Sequence, residues 1–111
     1  MKIAKGIKLL SETQGEGEIA KPADRVSYNC RISLNNGDEV RFLENQSDNL
    51  KTRELIAAVR LTLIGMKVGG YRKVKASPHL AYGKEGIEGL IPANAVLVIE
   101  LWLTKVSNNN I

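Results

Sequence analysis

A chain of 111 residues that is 43% hydrophobic is long enough for one packed core and too short for two. Its single cysteine, Cys30, rules out an intramolecular disulfide, and with His79 as the only histidine there is no ligand cluster for a zinc site. The net charge of +4 is spread over scattered Lys and Arg, dense only in Tyr71-Arg72-Lys73-Val74-Lys75, so no nucleic-acid partner is expected. No apolar run approaches the roughly 20 residues of a membrane-spanning helix, and Met1 to Gly6 lacks the apolar segment of a signal peptide, so no membrane association and a cytoplasmic location are expected.

Ile7 to Leu10 reads as a short strand, followed by a turn region punctuated by Gly15, Gly17 and Pro22. From Val26 to Leu34 the alternation is strict. Val26, Tyr28, Cys30, Ile32 and Leu34 share one face, which predicts a half-buried antiparallel strand. Asn36-Gly37 signals a type I′ hairpin that returns the chain as a strand over Glu39 to Leu43. Thr52 is placed to cap a helix whose apolar positions are Leu55, Ile56, Val59, Leu63 and Met66, with Gly65 and Gly69-Gly70 at its exit.

Tyr71 to Ala76 reads as another strand, and Val96 to Val106 as the longest, burying Leu97, Ile99, Leu101 and Leu103. Trp102 alternates with these residues and is expected on the outer side of its strand. Between these two strands, the residues from Gly83 to Ala95 read as an ordered loop. Gly83, Gly86 and Gly89 allow positive φ, and Pro92 biases Ile91 toward an extended conformation. Long loops without regular structure are uncommon in compact domains and are usually functional. The predicted fold is α+β, a twisted antiparallel sheet half-wrapped around one short amphipathic helix. One domain over residues 1–106 and a polar tail over 107–111 complete the plan.

The motifs beyond the first hairpin carry a family likeness. They are Glu54-Leu55-Ile56, Gly65-Met66-Lys67-Val68-Gly69-Gly70 with Lys73, Ser77-Pro78, Ala81-Tyr82-Gly83, Gly86, Gly89, Leu90-Ile91-Pro92, Ala95 and Leu97-Val98. In this order and at these offsets the chain resembles the FKBP-type peptidyl-prolyl isomerases, the family that binds the macrolide tacrolimus. Gly15, Asp24, Val26, Tyr28 and Asn36-Gly37 extend the match, more loosely, into the N-terminal half.

The resemblance implies a cofactor-free, monomeric isomerase that rotates X–Pro bonds in peptides or proteins. It implies that the Tyr82 hydroxyl and the Ile91 backbone N–H hold substrate carbonyls, that Leu55, Ile56 and Val59 form a floor under the proline ring, and that Leu90, Ile99 and Val40 supply walls. Uncatalysed, that rotation faces a barrier of about 20 kcal/mol and takes tens to hundreds of seconds.

The departures are specific. Val59 stands where the family usually has tryptophan, and Ile99 where phenylalanine is usual. Val40-Arg41 replaces the Phe-Asp usual after the hairpin; a shifted register brings Phe42 to the aromatic position, but no register supplies the acid. Counted back from Gly37, either Cys30 or, with a two-residue insertion, Tyr28 takes the family's tyrosine position. Weak or no tacrolimus binding is expected from these changes. Cys30 otherwise reads as a small buried hydrophobe, and His79, Glu85 and Glu88 as surface residues. The second function these departures allow is a module that binds a proline-containing partner with little catalysis.

Overall fold

The computed structural model describes residues 2–52 and 54–107. Six strands form one antiparallel sheet: β1 (Lys2–Ala4), β2 (Ile7–Thr13), β3 (Arg25–Leu34), β4 (Glu39–Asn49), β5 (Tyr71–Ala76) and β6 (Leu97–Ser107), in the spatial order β1-β2-β5-β6-β3-β4. Among the described residues a single α-helix, α1 (Ala57–Leu63), packs on the inner face. Among the described residues no helix is long and apolar enough to cross a membrane.

Alternation decides which side chains turn inward. Val26, Tyr28, Cys30 and Ile32 of β3, Val74 and Ala76 of β5, and Leu97, Ile99, Leu101 and Leu103 of β6 form one buried layer. Ala58, Val59, Thr62 and Leu63 supply the facing layer, a stripe at helical spacing. Arg72 ties the layers together: its Nε donates to Glu12 Oε2 at 2.7 Å and its Nη1 to the Thr62 carbonyl at 2.8 Å, giving an otherwise unpaired helix-end acceptor a partner.

The helix is shorter than the apolar spacing predicts. Thr52 does not cap it; its Oγ1 accepts the Glu54 N–H at 3.2 Å, a local turn that competes with helix entry. The N-cap is Ile56, without a side-chain cap, so Leu55 and Ile56 lie ahead of the helix and Met66 beyond it. Gly65, at φ +91°, turns the chain away.

Two further expectations change in β4. Asn36 does not adopt the positive φ of a type I′ turn. Gly37 alone does, at +100°, its N–H donating to the Leu34 carbonyl at 2.9 Å while the Leu34 N–H donates to the Asp38 carbonyl at 2.8 Å. This is a three-residue loop closed by a left-handed glycine. The strand itself runs to Asn49 and breaks register twice. Ile32 pairs with Arg41 but Ser33 with Glu39, leaving Val40 as the extra residue; Tyr28 pairs with Gln46 but Cys30 with Leu43, where Asn45, at φ +52°, donates its N–H to Asn29 Oδ1. Each bulge reverses the in-out phase of the residues beyond it.

On the outer face Trp102 lies where alternation predicts, but it is not a lone exposed ring. Tyr71 packs against it at 5.2 Å between centroids, Phe42 meets it edge-on at 6.2 Å, and the Arg31 guanidinium sits 5.5 Å from its centre. Arg31 Nη1 bonds Glu100 at 3.2 Å, and its Nε is 2.9 Å from Glu39 Oε1, close enough for an ion pair but not aligned as a hydrogen bond. Ser107, expected in the tail, ends β6 opposite Arg25, whereas residues 108–111 of that tail lie outside the described residues.

Candidate functional site

The bulges of β4 set the site. The first turns Arg41 and Leu43 to the inner face, opposite Ile32 and Cys30, and the second returns Gln46 and Asp48 to it, opposite Tyr28 and Val26. Phe42, by the same phase, pairs with Arg31 on the outer face, 41% exposed, so the expectation that it lines the pocket is wrong. The extra residue at Val40 undoes the parity that put Val40 and Phe42 on one face.

Tyr28 and Cys30 are both buried on the inner face, and Tyr28 reaches an acid after all. Its hydroxyl donates to Asp48 Oδ2 at 2.5 Å, in the short range of a charge-assisted bond. Spacing from the hairpin does not reveal Asp48, because the second bulge intervenes. Burial, then the bond to Asp48, push the Tyr28 phenol well above its ordinary range, and burial pushes the Cys30 thiol up to about 12. A thiol so shielded is no nucleophile at neutral pH.

Tyr82 stands beside this pair. It is half-buried and its phenol is raised chiefly by burial, against a lowering from the Arg41 charge and a further rise from Cys30. Its hydroxyl has no hydrogen-bond partner among the described residues. Tyr82 packs against the core that holds Val59 and Ile99, 3% and 0% exposed, and Leu55, Ile56, Val40 and Leu43 pack half-buried against the same core.

The loop that carries Tyr82 is held by its own backbone. Gly83 N–H donates to Pro78 at 2.8 Å, Gly86 N–H to Tyr82 at 3.0 Å, and Asn94 N–H to Gly83 at 2.9 Å. Its tip closes where Ile87 and Ile91 exchange bonds at 2.8 Å. The Ile91 N–H is therefore spent on the Ile87 carbonyl, and the expected role for it as a carbonyl donor is corrected; Ile91 contributes a buried side chain. Leu90 is 37% exposed and lines a separate hollow with Leu34, Ile87 and Pro92, away from Tyr82. The N–H of Ile56, by contrast, has no acceptor among the described residues.

Comparison with known proteins places the chain in a family. The chain is 48% identical over 104 residues to FK506-binding protein 1A of Neurospora crassa, covering 90% of this chain and 86% of that one. It is 34% identical to FK506-binding protein 4 of Chaetomium thermophilum and 32% identical to the FKBP-type peptidyl-prolyl cis-trans isomerase FkpA of Buchnera aphidicola, each over 96% of this chain. It spans only 22% and 45% of the lengths of those two relatives. The family model for FKBP-type peptidyl-prolyl cis-trans isomerases matches residues 16–104, and on that match the chain belongs to this family.

Proposed function

We propose that this chain accelerates cis/trans rotation about X–Pro bonds in peptides or proteins, binding the proline ring over Ile56 and Val59 and a substrate carbonyl at the Tyr82 hydroxyl. The observation that carries the reading is that hydroxyl: half-buried, beside Tyr28, Cys30 and Arg41, on a ring packed against the aliphatic core, and without a partner among the described residues. The Ile56 N–H, unpaired among the described residues, is the second donor we assign to substrate, in place of Ile91.

The reaction needs neither nucleophile nor base. Its transition state is a twisted amide that has lost resonance and part of its carbonyl dipole, so an apolar floor favours it over the planar, strongly dipolar ground state. Two donors orient the chain on either side of the rotating bond. Exchange NMR with an Ala-Leu-Pro-Phe type peptide tests the reading: added protein is expected to speed cis/trans interconversion, and no acceleration at near-equimolar protein would reject it.

That outcome would leave the second reading, a proline-segment binder with little catalysis, which the aliphatic Val59 and Ile99 favour. Weak tacrolimus binding, a monomeric single domain over residues 1–106, a cytoplasmic setting, a role in protein folding and no nucleic-acid partner belong to the same proposal.

A further inference from the structure

Ile56, Arg60 and Ile64 recur every four residues and so share one side of the helical segment, beside the stripe of Ala58, Val59, Thr62 and Leu63 that enters the core. With Leu50, Leu55, Leu80 and Ala81 this side walls a groove of about 640 Å³, a size typical of small-ligand sites. The groove is not separate from the proline site. Leu55 and Ile56 belong to both, and Ala81 immediately precedes Tyr82.

Its charges are unbalanced. Arg60 and Lys51 line it, with His79 beside them, against Glu54 alone. Arg60 Nε is buried without a hydrogen-bond partner, and the guanidinium makes no ion pair among the described residues. Arg72, by contrast, is held by Glu12 and the carbonyl of Thr62, and Arg31 by Glu39 and Glu100. A guanidinium offers five donors in a rigid fork that matches a carboxylate, and Arg60, half-buried, lining the groove and without an ion pair among the described residues, leaves its outer donors to an incoming anion.

We infer that this groove is a subsite for a carboxylate side chain of the substrate, read by Arg60, so that the favoured substrates are proline-containing segments with Asp or Glu about two residues from the proline. The inference rests on the isomerase reading above and names its substrate class. The spacing comes from reach: Ile56 to Arg60 is four residues, about 6 Å along a helix, which an extended peptide covers in about two residues.

The test compares matched proline peptides carrying Glu, Gln or Lys two residues before proline and, in a second set, two residues after it. Exchange NMR gives the rate, and chemical-shift titration gives the affinity. In one of the two sets the Glu peptide is expected to gain about tenfold in kcat/KM and in affinity over its Gln twin, the scale of one charge-assisted pair at a partly screened site. Arg60→Gln is expected to abolish that gain, so that the Glu and Gln peptides are handled alike, and Arg60→Lys to restore part of it.

Equal handling of Glu and Gln in both sets, or an undiminished Glu preference in Arg60→Gln, overturns the subsite. If Arg60→Gln fails to fold, the comparison of peptides on the unaltered chain still decides. Selective binding of the Glu peptide without acceleration of any peptide would overturn the isomerase reading and keep the subsite.

Discussion

The Tyr28 hydroxyl and the Asp48 carboxylate lie 2.5 Å apart across β3 and β4, a bond that exists only because a bulge at Asn45 brings Asp48 back to the inner face. Tyr28 is 3% exposed, so its hydroxyl has little water to fall back on. Asp48→Ala is expected to cost about 1–3 kcal/mol in stability, the penalty for an unsatisfied buried donor, and Asp48→Asn less, because the amide oxygen still accepts. Urea unfolding of Asp48→Ala, Tyr28→Phe and the double variant checks it. A coupling energy near zero would mean that the pair does not hold the strands.

Tyr82→Phe deletes only a hydroxyl that has no partner among the described residues. Substrate affinity is expected to fall by roughly 0.5–1.5 kcal/mol with the melting temperature unchanged. The opposite pattern, unaltered binding with a lowered melting temperature, would make Tyr82 structural.

Gly86 and Gly89 separate two costs in the loop. Both have positive φ, +64° and +76°, so a side chain at either is strained by roughly 1–2 kcal/mol. At Gly86 a methyl would also collide with the backbone carbonyls of Ile91 and Pro92, whereas at Gly89 it meets open space. Gly86→Ala is expected to displace the loop and depress isomerisation severely, and Gly89→Ala to leave most of it. Comparable rates for the two variants would show that the loop's closure on itself is not needed.

Alkaline pH is expected to weaken the fold before it does anything else. Burial raises the Cys30 thiol from 9.0 to about 12, so the folded chain keeps a proton that the unfolded chain has released. The stability this contributes is complete below about pH 9 and is lost as pH climbs toward about 12. Tyr71, raised to about 12 by burial and then by its bond to Glu100, adds to the same slope from about pH 10 upward. Urea midpoints measured at neutral and alkaline pH should fall, and less steeply in Cys30→Ala. A flat profile would place Cys30 in contact with water.

Tacrolimus is expected to bind more weakly than to family members with aromatic walls. Each aromatic contact replaced by Val59 or Ile99 removes about 0.5 to 1.5 kcal/mol beyond area burial, so the pair amounts to roughly 5- to 150-fold. Asp48 on Tyr28 keeps an acid in the site and limits the loss. Calorimetry decides, with nanomolar affinity as the result that would contradict it.

The sheet is legible because the period of two survives wherever a strand is regular. The inward residues of β3 from Val26 to Ile32 and of β6 from Leu97 to Leu103 come from local pattern alone, as does the outward Trp102. Tyr82 and its glycine-rich loop are legible for a similar reason: Gly86 and Pro92 mark backbone needs that residue type announces. The helix boundary is not, since Thr52 is an equally good partner for a local turn as for a helix cap.

What only the tertiary structure decided lies on β4. An extra residue in a strand costs nothing that its own neighbours reveal. It is stabilised by the partner strand, as when Asn29 accepts the Asn45 N–H, and each insertion exchanges the two faces beyond it. The first insertion therefore took Phe42 out of the site and brought Arg41 in, and the second returned Asp48 to the inner face within reach of Tyr28, a matter of cross-strand pairing that composition, spacing and periodicity along one chain do not encode.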